Sequence, residues 1–130
     1  MRRLATIGKW LFQVFLGAIF VMIGVAKFLE PAWALKFERW GYPPGFHLVI
    51  GTLEALGGIG LLIPPLTSYA ALGLIVIMIG ASLTHLVHGE MARVMGPVPH
   101  IVLLTLLALA RRPSARRLTR RTESRAAPVV

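Results

Sequence analysis

Hydrophobic and polar positions alternate along this chain on the scale of whole helices. Residues 10–29 read WLFQVFLGAIFVMIGVAKFL, matching the ~20 residues that cross a hydrocarbon core. Residues 46–63 read FHLVIGTLEALGGIGLLI and are stopped by Pro64 and Pro65. A third run, 67–88, follows so closely that the second and third runs predict a tight antiparallel hairpin. The last run, 100–110, is short. With its flanks it predicts a span over 97–111, helped by bilayer thinning and arginine snorkelling. A soluble helix spreads charge over its outer face, and these runs have almost none to spread. The pattern therefore predicts an all-α integral membrane four-helix bundle.

The stretches between the runs are polar and rich in turn residues. Residues 30–45, EPAWALKFERWGYPPG, predict a loop with a short amphipathic helix around Trp33 to Trp40 lying at the interface. Trp10 and Trp33 bracket the first run as interfacial anchors. That run is longer than the apolar segment of a secretory signal, and no small-residue cleavage site precedes Glu30 and Pro31, so it reads as a retained span. Residues 88–99 form a second loop on the same side as the first.

Composition agrees. The 130 residues are 56% hydrophobic and 15% charged, with a mean hydropathy of +0.74. The absence of cysteine excludes disulfides and thiolate chemistry. The net charge of +9 changes the picture only through its distribution. Arg2, Arg3 and Lys9 lie in a basic lead, 1–9, and Arg111 ends the 10–111 membrane domain. Arg112, Arg116, Arg117, Arg120, Arg121 and Arg125 lie in a tail, 112–130, whose composition predicts mobility and contact with anionic lipid. The opposite side holds Lys36, Arg39 and Arg93. This asymmetry predicts that both termini are cytoplasmic, and it accounts for the charge without a nucleic acid partner.

The few polar residues within the runs fall on stripes. Gln13, Gly17, Phe20, Gly24 and Lys27 share one face of the first helix, and Gly51, Glu54, Ala55 and Gly58 share one of the second. Gly73, Ile77, Gly80, Ala81, Thr84 and His88 make a broad stripe on the third. Gly17, Gly24, Gly51, Gly58, Gly73 and Gly80 predict helix packing faces, and Gln13 a hydrogen bond across helices. Gly17, Met22, Ile23 and Gly24 recur as Gly73, Met78, Ile79 and Gly80, a faint internal repeat.

Depth gathers the ionisable groups. Lys27, Glu54, Thr84, His85, His88 and His100 all fall in the outer half of the predicted bundle and form one candidate ligand or proton-exchange cluster. Glu54 lies too deep to reach water and requires a partner, Lys27 or a histidine, or a proton of its own. A structural ion pair fixing helix register is the competing reading. His85 and His88 at i and i+3 could hold a metal with Glu54, but histidines at a boundary more commonly hydrogen-bond, so no metal site is assigned.

Several segments, GVAKFLEP, GYPPG, IGTLEALGGIGLLIPP and MIGASLTH, together resemble DoxX-like proteins, small four-helix bacterial membrane proteins. The Glu-x-x-Gly-Gly-x-Gly-Leu-Leu stretch with its upstream lysine carries most of the resemblance. It implies a four-helix bundle in the plasma membrane. The family name comes from a subunit of a thiosulfate:quinone oxidoreductase, and the fold resembles animal membrane proteins that chaperone receptor assembly. The leading expectation is a small subunit with no intrinsic cofactor. It would bind a quinone or similar hydrophobic molecule at the cluster in support of an oxidoreductase partner, membrane-bound or peripheral. A non-enzymatic scaffold or assembly factor is the alternative, and a small-solute carrier a third. The sequence leaves open whether the chain forms a homo-oligomer.

Overall fold

The computed structural model describes residues 2–111 and Arg125; Met1 and the rest of the basic tail, with the mobility expected of it, lie outside the described residues. Among the described residues six α-helices are assigned as elements: α1 Arg2–Leu29, α2 Pro31–Arg39, α3 Phe46–Leu61, α4 Thr67–Val87, α5 Met91–Val94 and α6 Pro97–Ala110. A 3-10 turn, Pro64–Leu66, joins α3 to α4. The long helices follow the apolar runs closely, except that α1 continues back through the basic lead to Arg2. Prolines set the breaks. Glu30 and Ile63, each preceding a proline, are extended, and Pro31 and Pro64 open the next helical segments.

The four long helices form a ring in which α1 packs on α3, α3 on α4, α4 on α6, and α6 lightly on α1. The chain thus runs twice through the same order of long helix, short helix and returning helix. Large apolar side chains, among them Leu11, Phe15, Met22, Leu53, Tyr69, Leu72 and Leu109, point outward around the ring. Such an exterior belongs in lipid, and this is a membrane protein with transmembrane helices. The segments Arg2–Leu29, Pro64–Val87 and Met91–Ala110 are each long and apolar enough to cross; α3, at 16 residues, is shorter.

The interior is solid at one end and hollow at the other. Leu16, Phe20, Leu61, Ala71, Leu74, Met78, Leu104 and Leu107 fill the half toward Gln13 and Thr67. Gln13 closes this end by donating to the Leu61 carbonyl at 2.6 Å and to Thr67 Oγ1 at 3.0 Å. The bond satisfies a carbonyl near the end of α3 that no helical partner reaches.

Close contact between α1 and α3 depends on two glycine pairs. A Cβ on Gly17 would lie 2.9 Å from the Gly58 carbonyl oxygen, and one on Gly58 would lie 2.7 Å from that of Gly17. Gly24 and Gly51 face each other in the same way. Gly73 and Gly80 correct the sequence expectation, because a Cβ on either meets nothing within 4 Å. The repeat therefore exists in the order of elements and not residue by residue. Met22 is exposed to the outside while its counterpart Met78 is buried.

These environments predict opposite outcomes for one substitution. Gly24→Ala should cost about 1–3 kcal/mol, since backbone cannot yield to the added methyl. Gly73→Ala should be neutral or stabilising by up to about 1 kcal/mol through helix propensity. Thermal unfolding of both variants in mild detergent checks the pair.

Candidate functional site

The hollow end is built by two helix terminations of the same kind. Helix α2 ends at Trp40, followed by Gly41 at φ 85°; the Gly41 amide bonds to the Glu38 carbonyl and the Tyr42 amide to that of Phe37. Helix α4 ends at His88, followed by Gly89 at φ 70°, with the Gly89 amide on the Leu86 carbonyl and the Glu90 amide on that of His85. Both are Schellman closures, whose left-handed residue is glycine because a Cβ is strained there. Each brings the residue after its glycine back onto the helix it leaves. Tyr42 returns onto the buried Phe37 at 5.4 Å between rings, and Glu90 returns onto His85.

These two returned residues tie α2 and its loop to the end of α4. Thr84 Oγ1 donates to the Gly80 carbonyl, so the 2.6 Å contact with Tyr42 is a hydrogen bond donated by the tyrosine. Glu90 Oε2 lies 2.7 Å from His85 Nδ1, and Trp40 Nε1 lies 3.4 Å from Glu90 Oε1. The Trp40 ring meets the His85 ring edge-on at 5.2 Å. Helix α2 is thereby held as a roof, with Phe37 at the centre of a cluster that includes Trp33, Tyr42, Phe46 and His47.

Beneath the roof, between the α1–α3 and α4–α6 pairs, is a cavity of about 700 Å³. Ile23, Ile50, Val76, Ile77 and Met78 give it apolar walls. Lys27, Glu54, Thr84, His85 and His100 also line it. The structure thus brings five of the six sequence candidates to one chamber. His88 is not among them: it is exposed, and its Nδ1 donates to the Thr84 carbonyl at 2.8 Å. Gly80 is on the wall, where its missing side chain leaves the chamber open.

Lys27 and Glu54 are paired, with Nζ to Oε2 at 2.6 Å and side chains only 5% and 3% exposed. The lysine ammonium also lies 4.4 Å from the centre of the Trp33 ring, a cation–π contact strengthened by desolvation. The three groups suggested for a metal turn instead to separate partners: Glu54 to Lys27, His85 to Glu90 and His88 to its own helix.

The histidine bonds fix which nitrogen is available. His100 Nδ1 donates to the Gly96 carbonyl at 3.0 Å, leaving Nε2 as the acceptor of the neutral ring. In His85, Nδ1 faces Glu90, so Nε2 is the nitrogen left for other chemistry. A carboxylate behind an imidazole orients the ring and fixes which nitrogen it presents. The hydrogen bond from His85 holds the Glu90 carboxyl below the ordinary carboxylate range, aided by Trp40 and Arg93 and opposed by burial.

Sequence reasoning missed Glu90, Tyr42, Trp40 and Arg93. The signal for the first two is the glycine immediately before each at a helix end. Trp40 follows from its helical spacing with Trp33 and Phe37.

Two predictions follow from the charges. Lys27→Met should destabilise by about 3–5 kcal/mol by leaving Glu54 buried and unpaired, and adding Glu54→Leu should restore most of the loss. Unfolding of the single and double variants measures this. Glu90 has a lowered pKa, so its stabilising contribution is complete above the ordinary carboxylate range and disappears as pH falls through the lowered value. The melting-temperature difference between wild type and Glu90→Gln should therefore persist at neutral and mildly acidic pH and close only in stronger acid.

A family model described as the DoxX-like family matches residues 11–109. No curated protein and no solved structure matches the chain significantly.

Proposed function

Because the chain belongs to the DoxX-like family, we propose that it is a four-span membrane protein whose two helical hairpins hold a hydrophobic molecule with a polar head. The observation that carries this reading is the roofed cavity of about 700 Å³, with apolar walls and a cluster of polar groups at its roofed end. Volume and lining are those of small-molecule sites. A quinone is the first ligand to try, in support of an oxidoreductase partner that supplies the electrons. Reduction of a quinone also consumes protons. The carboxylate-backed His85, with Nε2 available, suits their delivery better than Glu54, whose Oε2 is engaged by Lys27. Lys27 and Glu54 instead present a fixed polar wall.

In this reading both termini are cytoplasmic and the protein resides in a bacterial plasma membrane, with the cavity in the outer half. The concentration of Lys and Arg near the chain ends supports that orientation. The scaffold alternative draws less support from the glycines, since Gly17, Gly24, Gly51 and Gly58 are used inside the α1–α3 pair.

Extraction of the protein purified in mild detergent should yield a near-stoichiometric hydrophobic ligand. A mass spectrum and a redox difference spectrum test whether it is a quinone. Gly80→Leu places a side chain in the chamber without a backbone clash and should lose that ligand while the fold persists. Finding nothing above the lipid background in wild type would overturn the proposal.

A further inference from the structure

Away from the chain ends the bundle carries four cations, Lys27, Lys36, Arg39 and Arg93, and Lys27 is engaged by Glu54. The other three, from α2 and α5, converge with Trp40, His88 and Glu90 on a smaller cavity of about 220 Å³. This vestibule shares Lys36, Trp40 and Arg93 with the large chamber, so an apolar chamber adjoins a cationic rim.

The rim has little negative charge of its own. Glu90, its one carboxylate, already faces His85 and Trp40, and Arg93 Nη1 stands 3.9 Å from it. The Lys36 ammonium rests over the Trp33 ring at 4.5 Å. Among the described residues neither Lys36 nor Arg39 forms an ion pair. Reaching toward bilayer headgroups would explain cations scattered around the bundle. It does not explain three gathered at the edge of one chamber.

We propose that the vestibule is a headgroup subsite and that the chamber prefers amphiphiles with an anionic head. A single-chain carboxylate or phosphate places its chain among the apolar walls and its head against Lys36, Arg39 and Arg93. Charge-assisted hydrogen bonds from two helices then add to the burial of the chain. The inference rests on the reading of the chamber as a ligand site and narrows the class of ligand, independently of any redox role.

The test uses the full chain carrying Trp10→Phe, in phosphatidylcholine nanodiscs, so that quenching reports Trp33 and Trp40 at the chamber. The probes are dibromostearate, dibromostearyl phosphate and the uncharged dibromostearyl alcohol. At least one anion should quench at a concentration tenfold or more below the alcohol, with the advantage shrinking in salt. Its lead over the other anion tells a fatty acid source from a phospholipid one. Lys36→Gln/Arg39→Gln/Arg93→Gln should bring the anions to the level of the alcohol and leave the alcohol unchanged. Gly80→Leu should weaken all three probes. Equal binding of alcohol and anions in wild type, or a preference that survives the triple variant, overturns the anionic subsite and leaves the chamber reading intact. Quenching by all three that Gly80→Leu does not alter means they bind outside the chamber, and the underlying reading falls.

Discussion

The Lys27–Glu54 pair is the interaction on which the rest of the bundle depends. A carboxylate at the middle of an apolar helix is tolerated only when something nearby satisfies it. Glutamate is short, so its partner helix must come close. The Gly17–Gly58 and Gly24–Gly51 contacts permit that approach, and the pair in turn fixes how α1 and α3 lie against each other. Its influence extends outward, because the ammonium that meets Glu54 also lies over Trp33 at the start of the roof. Backbone contact, buried charge and roof helix thus form one mechanical series.

The contrast between the two hairpins explains why there is a chamber at all. Glycine draws α1 and α3 together along their length. The α4 glycines draw nothing in, and Gly80 leaves space where α4 faces the first hairpin. Close packing resumes toward Gln13, where Phe20, Leu61, Leu74 and Leu104 fill the centre. The bundle is a vessel with a solid base, and Lys27, Glu54, His85 and His100 line its roofed, hollow end.

Much of this was legible in the chain because the governing terms are additive along it. Apolar runs and prolines located the long helices, and depth along those runs gathered Lys27, Glu54, Thr84, His85 and His100. What sequence could not resolve was the environment of look-alike residues. Gly24 and Gly80 sit in matching local strings, yet one touches backbone and the other open space, a difference set by the neighbouring helix. His88 failed to join the cluster because it caps the end of α4, where its ring turns back onto the Thr84 carbonyl of its own helix. Glu90 and Tyr42 escaped notice because their roles arise from left-handed glycines, a backbone choice that carries no hydrophobic signature. The buried Gln13, by contrast, announced itself as the only amide in an apolar run.

Helix α3 has a further consequence through its length alone. At 16 residues and 1.5 Å per residue it spans about 24 Å, while a typical hydrocarbon core is about 30 Å thick. Its outward side chains, Leu48, Val49, Leu53, Leu56 and Ile59, are exposed along that whole length, so if α3 is the fourth span proposed above, adjacent lipid would meet a short wall and dimple to match it. The helix that bears the buried acid would then draw both water interfaces inward around it. On that reading, thin membranes would accommodate this protein with less distortion than thick ones.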